Sequence, residues 1–173
     1  MSNSSPSLHE VRMRPALDRF IMAGRFEFML GDEHGRPLWP KPRSTKNSVC
    51  NPGRQWLLKH IMSSQSSAVS AAPTLSALAM GTSTSAPGTG DSALGSEITR
   101  VTGLTETDNS SGSPPSCTWY VSFATNQGNG SIGEFGLFTT SAATTASLLA
   151  HATTSAFTKT TSNTLTVSYT LTF

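Results

Sequence analysis

The clearest pattern in the chain lies at its carboxyl end, where Leu165, Val167, Tyr169, Leu171 and Phe173 alternate with Thr164, Thr166, Ser168, Thr170 and Thr172. A period of two puts the apolar set on one face, so this segment predicts a strand with a single buried face running to a buried Phe173. Trp119, Val121 and Phe123 alternate with Tyr120 and Ser122 in the same way. Shorter runs at Leu75 to Met80, Glu97 to Leu104, Ile132 to Thr139 and Leu148 to Thr154 predict further strands. Earlier, Ala23 to Leu30 is followed by Asp32-Glu-His-Gly35 and Arg36-Pro-Leu-Trp39, a hairpin signal with Asp and Gly placed for a type I-based turn. Pro37, Pro40 and Pro42 confine the second strand of that hairpin to an edge or an extended segment.

One helix is predicted, from Arg54 to Met62. Asn51 suits its N-cap and Pro52 its first position, and Trp56, Leu57, His60 and Ile61 fall on one face. So short a helix is marginal alone, so it must dock on a sheet, with Trp56, Leu57 and Ile61 as the docking residues. The expected organisation is a polar, basic arm over 1–22, a hairpin plus helix over 23–62, a Ser/Ala-rich linker over 63–73 and a body over 74–173. Residues 23–173 are expected to form one domain. Stretches 81–95 and 106–116, rich in Gly, Ser, Asn and Pro, read as loops. Short strands joined by turn-rich connections predict a mainly β fold, an antiparallel β-sandwich of the immunoglobulin-like or jelly-roll-like kind.

Composition changes this picture by adding polarity. The 173 residues carry a formal net charge of +2. The basic residues crowd the first third: Arg12, Arg14 and Arg19 in the arm, then Arg25, Arg36, Lys41, Arg43, Lys46, Arg54 and Lys59. Beyond residue 60 only Arg100 and Lys159 are basic. A basic arm on a faintly acidic body can meet nucleic acid or an acidic protein surface. Without aromatic interleaving or a nucleic-acid fold signature, a protein partner is favoured, with Arg12, Arg14 and Arg19 as the partner-binding arm. Cys50 and Cys117 lie too far apart for a CxxC pair and read as free thiols. No apolar leader or membrane-length stretch is visible, so synthesis in a cytosol without export is expected.

Candidate chemistry is thin. Gly128-Asn-Gly130-Ser-Ile-Gly133 has the spacing of a dinucleotide loop, but Glu134-Phe-Gly-Leu-Phe138 continues it as strand rather than helix, so a hairpin turn is the expectation. His9, His34, His60 and His151 lack paired ligand spacing, and no metal or cofactor is expected. No G-x-S-x-G elbow is present, nor a carboxylate pair that singles out glycosidase chemistry. Glu134 stands in an apolar strand and, once buried, needs a cationic partner. Arg100 is the expected one, in a structural ion pair, with a catalytic acid as the weaker reading. Trp39, Trp119 and Tyr120 form either core or a sugar-binding platform.

The order of segments resembles a group of bacteriophage virion proteins. Gly24-Arg-Phe-Glu-Phe28, Gly35 and Asn47-Ser-Val-Cys-Asn-Pro-Gly53 leading to Trp56-Leu-Leu58 are similar to that group's opening. Ala79 to Pro87, Asp91 to Leu94, Glu97 to Arg100, Gly130 to Phe138 and Leu148 to Ala152 resemble its later motifs, in order, followed by the alternating carboxyl end. Two positions depart from the group: Cys50 replaces an apolar residue, and His151 stands where such proteins often carry Arg. The resemblance covers about 23–173 and implies a non-enzymatic structural part of a virion, without cofactor. Its implied partners are other virion proteins, the major capsid protein or neck and tail proteins, and further copies of itself. A capsid decoration or cement protein is the first reading. A neck, tail or fibre-attachment protein is the second, and a carbohydrate-binding module at the host surface the third.

Overall fold

The computed structural model describes residues 23–63, 74–139 and 147–173. The expected arm with Arg12, Arg14 and Arg19, and residues 64–73 of the expected linker, lie outside the described residues. Ten strands and one helix follow in order: β1 (Ala23–Asp32), β2 (Arg43–Lys46), β3 (Ser48–Val49), α1 (Asn51–Ser63), β4 (Ala77–Gly81), β5 (Glu97–Thr102), β6 (Thr105–Asn109), β7 (Ser116–Phe123), β8 (Gly130–Phe138), β9 (Leu148–Lys159) and β10 (Asn163–Thr172). They form two five-stranded antiparallel sheets, β2-β1-β10-β7-β6 and β3-β9-β8-β4-β5, packed as a β-sandwich. The fold class expected from the alternation is thus the one observed.

The carboxyl-terminal alternation becomes the centre of the first sheet. β10 pairs with β1 from Ala23↔Thr172 to Asp32↔Asn163 and with β7 on its other side. Its inward set, Leu165, Val167, Tyr169 and Leu171, joins Phe26, Phe28, Trp119 and Phe123 against Leu78, Met80, Ile132, Phe135 and Leu137 of the second sheet. Phe28 lies at the crowded middle, stacked on Phe157 at 5.3 Å and tilted against Phe135 at 4.8 Å between ring centroids. Burying each such ring stabilises the fold by roughly 1.5–3 kcal/mol relative to exposure. Phe173 departs from expectation: its N–H donates to Pro115 O at 3.1 Å, but its side chain is at the rim and the residue is 39% exposed.

Each side of the sandwich is closed by a strand that changes sheets. On one side β2, the edge of the first sheet, passes through Asn47 into β3, the edge of the second. Thr45 Oγ1 donates to Thr153 O at 2.7 Å across this corner. On the other side β5 of the second sheet passes through Gly103, at φ 76°, into β6 of the first. β6 occupies the start of the stretch read as loop. Every residue of Thr105–Asn109 is exposed, so it carries no apolar alternation to betray a strand. The Gly128–Gly133 segment also differs from the hairpin expected: β7 and β8 belong to different sheets, and the turn between them is a third crossing. Buried Lys159 holds that crossing by donating to Ala124 O at 2.8 Å and Asn129 Oδ1 at 3.0 Å.

The hairpin turn at Asp32 forms as expected, with Asp32 Oδ1 accepting from the backbone N–H of His34 and Arg36 and Gly35 at φ 78°. Its second strand is delayed by the prolines until β2, which pairs with Arg25 to Phe28 as an edge. Helix α1 starts three residues before the predicted Arg54 and lies against β9. Gly53 is buried there, while Trp56 and Leu57 are half-buried around a small apolar cavity shared with Leu149 and Tyr169. Ile61, expected to dock, is 52% exposed, because the helix touches the sheet mainly through its first two turns. A Cβ on Gly53 would collide with the Leu149 carbonyl and its backbone. Gly53→Ala is therefore expected to destabilise the fold by about 1–3 kcal/mol, as overpacking does, read as a lower urea midpoint at unchanged slope.

Candidate functional site

The second sheet is buried on both faces, and its outer face holds the densest polar chemistry of the described residues. In β8 a bulge at Gly133 shifts the alternation, so that Ile132, Phe135 and Leu137 face the core. Glu134, Gly136 and Phe138 consequently face outward. Ala77 and Ala79 of β4 and His151 of β9 share this outer face. It is not left to solvent. The long connection between β4 and β5, residues 82–96, folds back over it and inserts Leu94 among Ala77, Ala79, Phe138, Leu148 and Cys50.

Glu134 fixes that connection. Its side chain is 0% exposed and both oxygens are occupied. Oε1 accepts from the Ser96 N–H at 2.7 Å and the Ser83 N–H at 3.3 Å. Oε2 accepts from the Gly95 N–H at 2.9 Å and lies 3.0 Å from His151 Nε2. One carboxylate thus holds both ends of the connection. Gly81 leaves the room, since a Cβ there would strike Glu134 Oε1 and the Ser96 carbonyl.

His151, 5% exposed, carries the network to the middle of the connection, with Nδ1 2.7 Å from Asp91 Oδ2. That oxygen also accepts from the Gly88 N–H at 2.8 Å. Both ring nitrogens lie within hydrogen-bond distance of carboxylate oxygens, so the imidazole bridges Glu134 and Asp91. Burial pushes the Asp91 carboxyl up, but the hydrogen bonds from His151 and Gly88 and the imidazole charge outweigh it and hold the group below its ordinary value. The same turn is tied to the start of α1: Ser48 Oγ donates to Pro87 O at 3.2 Å and the Asn51 N–H to Thr89 O at 2.7 Å.

The expected Glu134 pair with Arg100 does not form. Arg100 makes a bidentate pair with Glu97, three residues before it on the same strand, at 2.9 and 2.7 Å, and its guanidinium lies over the Phe138 ring. Glu134 is served instead by His151 and three backbone donors. Of these partners only His151 left a signal, since it interrupts the apolar run Leu148-Leu-Ala-His-Ala152 at an outward position.

An Asp–His–Glu line invites a catalytic reading, but both Glu134 oxygens, both His151 ring nitrogens and Asp91 Oδ2 are engaged with one another and with backbone groups. Among the described residues no cluster of His, Cys, Asp or Glu could hold a metal ion, and no helix is long and apolar enough to cross a membrane. The aromatic candidates are also engaged. Trp119 is buried and donates from Nε1 to Glu106, and Trp39 packs edge-on against Phe28 and Phe157 with Arg43 over its ring. Tyr120 is exposed on the outer face of the first sheet. Burial raises both thiols, Cys50 to about 11 and Cys117 to about 12, the latter helped by Glu106; both are free.

Glu134→Ala is expected to cost on the order of 3 kcal/mol, since it takes the acceptor from buried His151 and from three part-buried N–H groups. Hydrogen exchange should quicken most at Ser83, Gly95 and Ser96, a localisation that a general loss of packing would not give. The acid limb tests Asp91. Its folded value lies below the unfolded 3.8, so its contribution is present above that value and is lost as pH falls through the lower folded one. Asp91→Asn is expected to lower stability at neutral pH and to flatten the acid limb of stability against pH.

No protein-family model matches the chain, and no curated protein or solved structure matches it.

Proposed function

We propose that the chain is a non-enzymatic structural component of a bacteriophage particle. In this reading it is a β-sandwich carried on the particle surface and anchored through its basic amino-terminal region. One observation carries the reading: the motifs that resemble phage virion proteins, scattered between residues 47 and 152, converge on a single buried network. Asn47 to Gly53 supplies the start of α1 and the Ser48 and Asn51 ties to the 87–91 turn. Ala79 to Pro87 and Asp91 to Leu94 supply the cover and its anchors, and Gly130 to Phe138 and Leu148 to Ala152 supply Glu134 and His151. Residues held together in this way serve to fix a shape rather than to meet a substrate. A shape kept by buried polar bonds, with few charges and many hydroxyls outside, suits a part that is assembled.

Within the particle the favoured place is the capsid surface, as a decoration or cement protein whose basic segment lies on acidic neighbours. The polarity of the chain supports this, with the described basic residues Arg25, Lys41, Arg43, Lys46 and Arg54 gathered toward one side. A neck, tail or fibre-attachment position is the alternative. Deleting residues 1–19 is expected to leave the sandwich folded, with unchanged circular dichroism, and to abolish incorporation into particles. Quantitative mass spectrometry of purified particles decides the place: parity with the major capsid protein supports decoration, a ratio far below parity moves the chain to neck or tail, and absence from particles removes the reading.

A further inference from the structure

We infer that the two edges of the first sheet are complementary halves of one interface, through which copies of this chain join head to tail. Among the described residues, β2 and β6 are the end strands of that sheet. β2 reads Arg43-Ser-Thr-Lys46 and β6 reads Thr105-Glu-Thr-Asp-Asn109. One edge is basic, the other acidic. They match in length, four and five residues, or about 13–17 Å of strand.

The register fixes which faces these charges occupy. Phe28 pairs with Arg43, and Trp119 and Cys117 pair with Glu106 and Asp108, so all three charged side chains lie on the core-facing side of the sheet, at its rims. Inward-pointing charges at an edge ordinarily prevent indiscriminate strand addition. Here their signs differ between the edges. Two copies meeting like edge to like edge, as a two-fold axis requires, would set Glu106 and Asp108 of one copy against those of the other, or Arg43 against Arg43, while Lys46, paired with Arg25, adds its charge on the opposite face of the basic edge. Unlike edges instead place Arg43 of one copy on the same face as Glu106 and Asp108 of the next, and like charges opposed across strands are unfavourable where opposite ones are favourable.

Strand direction agrees. Four antiparallel steps separate β2 from β6, so both run the same way, and a rotation about an axis along the strands sets β6 of one copy beside β2 of the next. A contact of this type is heterologous and closes into a ring or continues as a filament. Nearby groups keep the sign of each side. Arg25, paired with Glu27, and Lys46 and Arg54 border one open groove beside β2, while Lys41 and Arg43 border another. On the acidic side Glu97 is paired with Arg100, and the edge itself carries Asp108 and Glu106, the latter accepting from Trp119 Nε1. The inference stands apart from the virion reading, because it concerns the purified chain.

The test is light scattering on the full chain at low and high salt, with two edge variants. Arg43→Glu with Lys46→Glu makes both edges acidic. Thr105→Lys, Thr107→Lys and Asp108→Lys makes both edges basic and spares Glu106, which holds Trp119. The wild type is expected to form multimers that dissociate as salt is raised. Each variant alone, with wild-type circular dichroism, is expected to be a monomer, its self-association weakened at least about tenfold, as loss of roughly 1.4 kcal/mol would give. An equimolar mixture of the two is expected to assemble again, because each then offers the edge the other lacks. A wild type that stays monomeric, variants that keep the wild-type mass, or a mixture that stays monomeric would each overturn the inference.

Discussion

The fold depends on one carboxylate under cover. Glu134 sits on the outer face of a sheet whose inner face is already committed to the core, and without it that outer face would need either an apolar lid or water. The chain instead lays fifteen largely irregular residues, 82–96, over the sheet, whose backbone donors must find partners. Glu134 accepts from three of them and, through His151, recruits Asp91, which orders the turn between. Apolar anchoring by Leu94 then fills the space that the polar bonds define. A charged group in so apolar a strand costs desolvation, and that cost is offset here by saturation of both its oxygens.

The strands with one wet face were legible because alternation is a local signal. β10 and β7 declared themselves by period two, and the Asp32–Gly35 turn by its residue types. β8 was legible as a strand but not in its facing, because the Gly133 bulge changes which residues look inward. β6 was illegible for the opposite reason: a strand exposed on both faces at an edge has the composition of a loop. Sheet membership of β7 and β8 was likewise hidden, since a sharp glycine turn looks the same whether it joins partners or crosses layers.

The candidate site was half legible. Burial of an acid in an apolar strand follows from sequence, and Glu134 is where that logic put it. Its partner does not follow, because the local pair with Glu97, three residues away, already gives Arg100 a carboxylate. Backbone donors carry no sequence signature at all, yet they supply three of the four partners of Glu134. Histidine as the side-chain partner was marked only by its place in an apolar run. The other cation of the body, Lys159, is likewise spent internally, on carbonyls of the β7–β8 crossing, where desolvation lowers its pKa.

The pairing of β1 with β10 sets the geography of the whole molecule. Ala23 lies opposite Thr172 at one end of the pair, and Asp32 opposite Asn163 at the other. Ala23 and Thr172 therefore lie at the same pole, while the tight turns after Asp32 and before Asn163 mark the far pole. The two outer ends of the β1–β10 pair are thus side by side, so a pull applied at Ala23 and one applied at Thr172 would load the same pole and leave the turn-bearing tip unloaded.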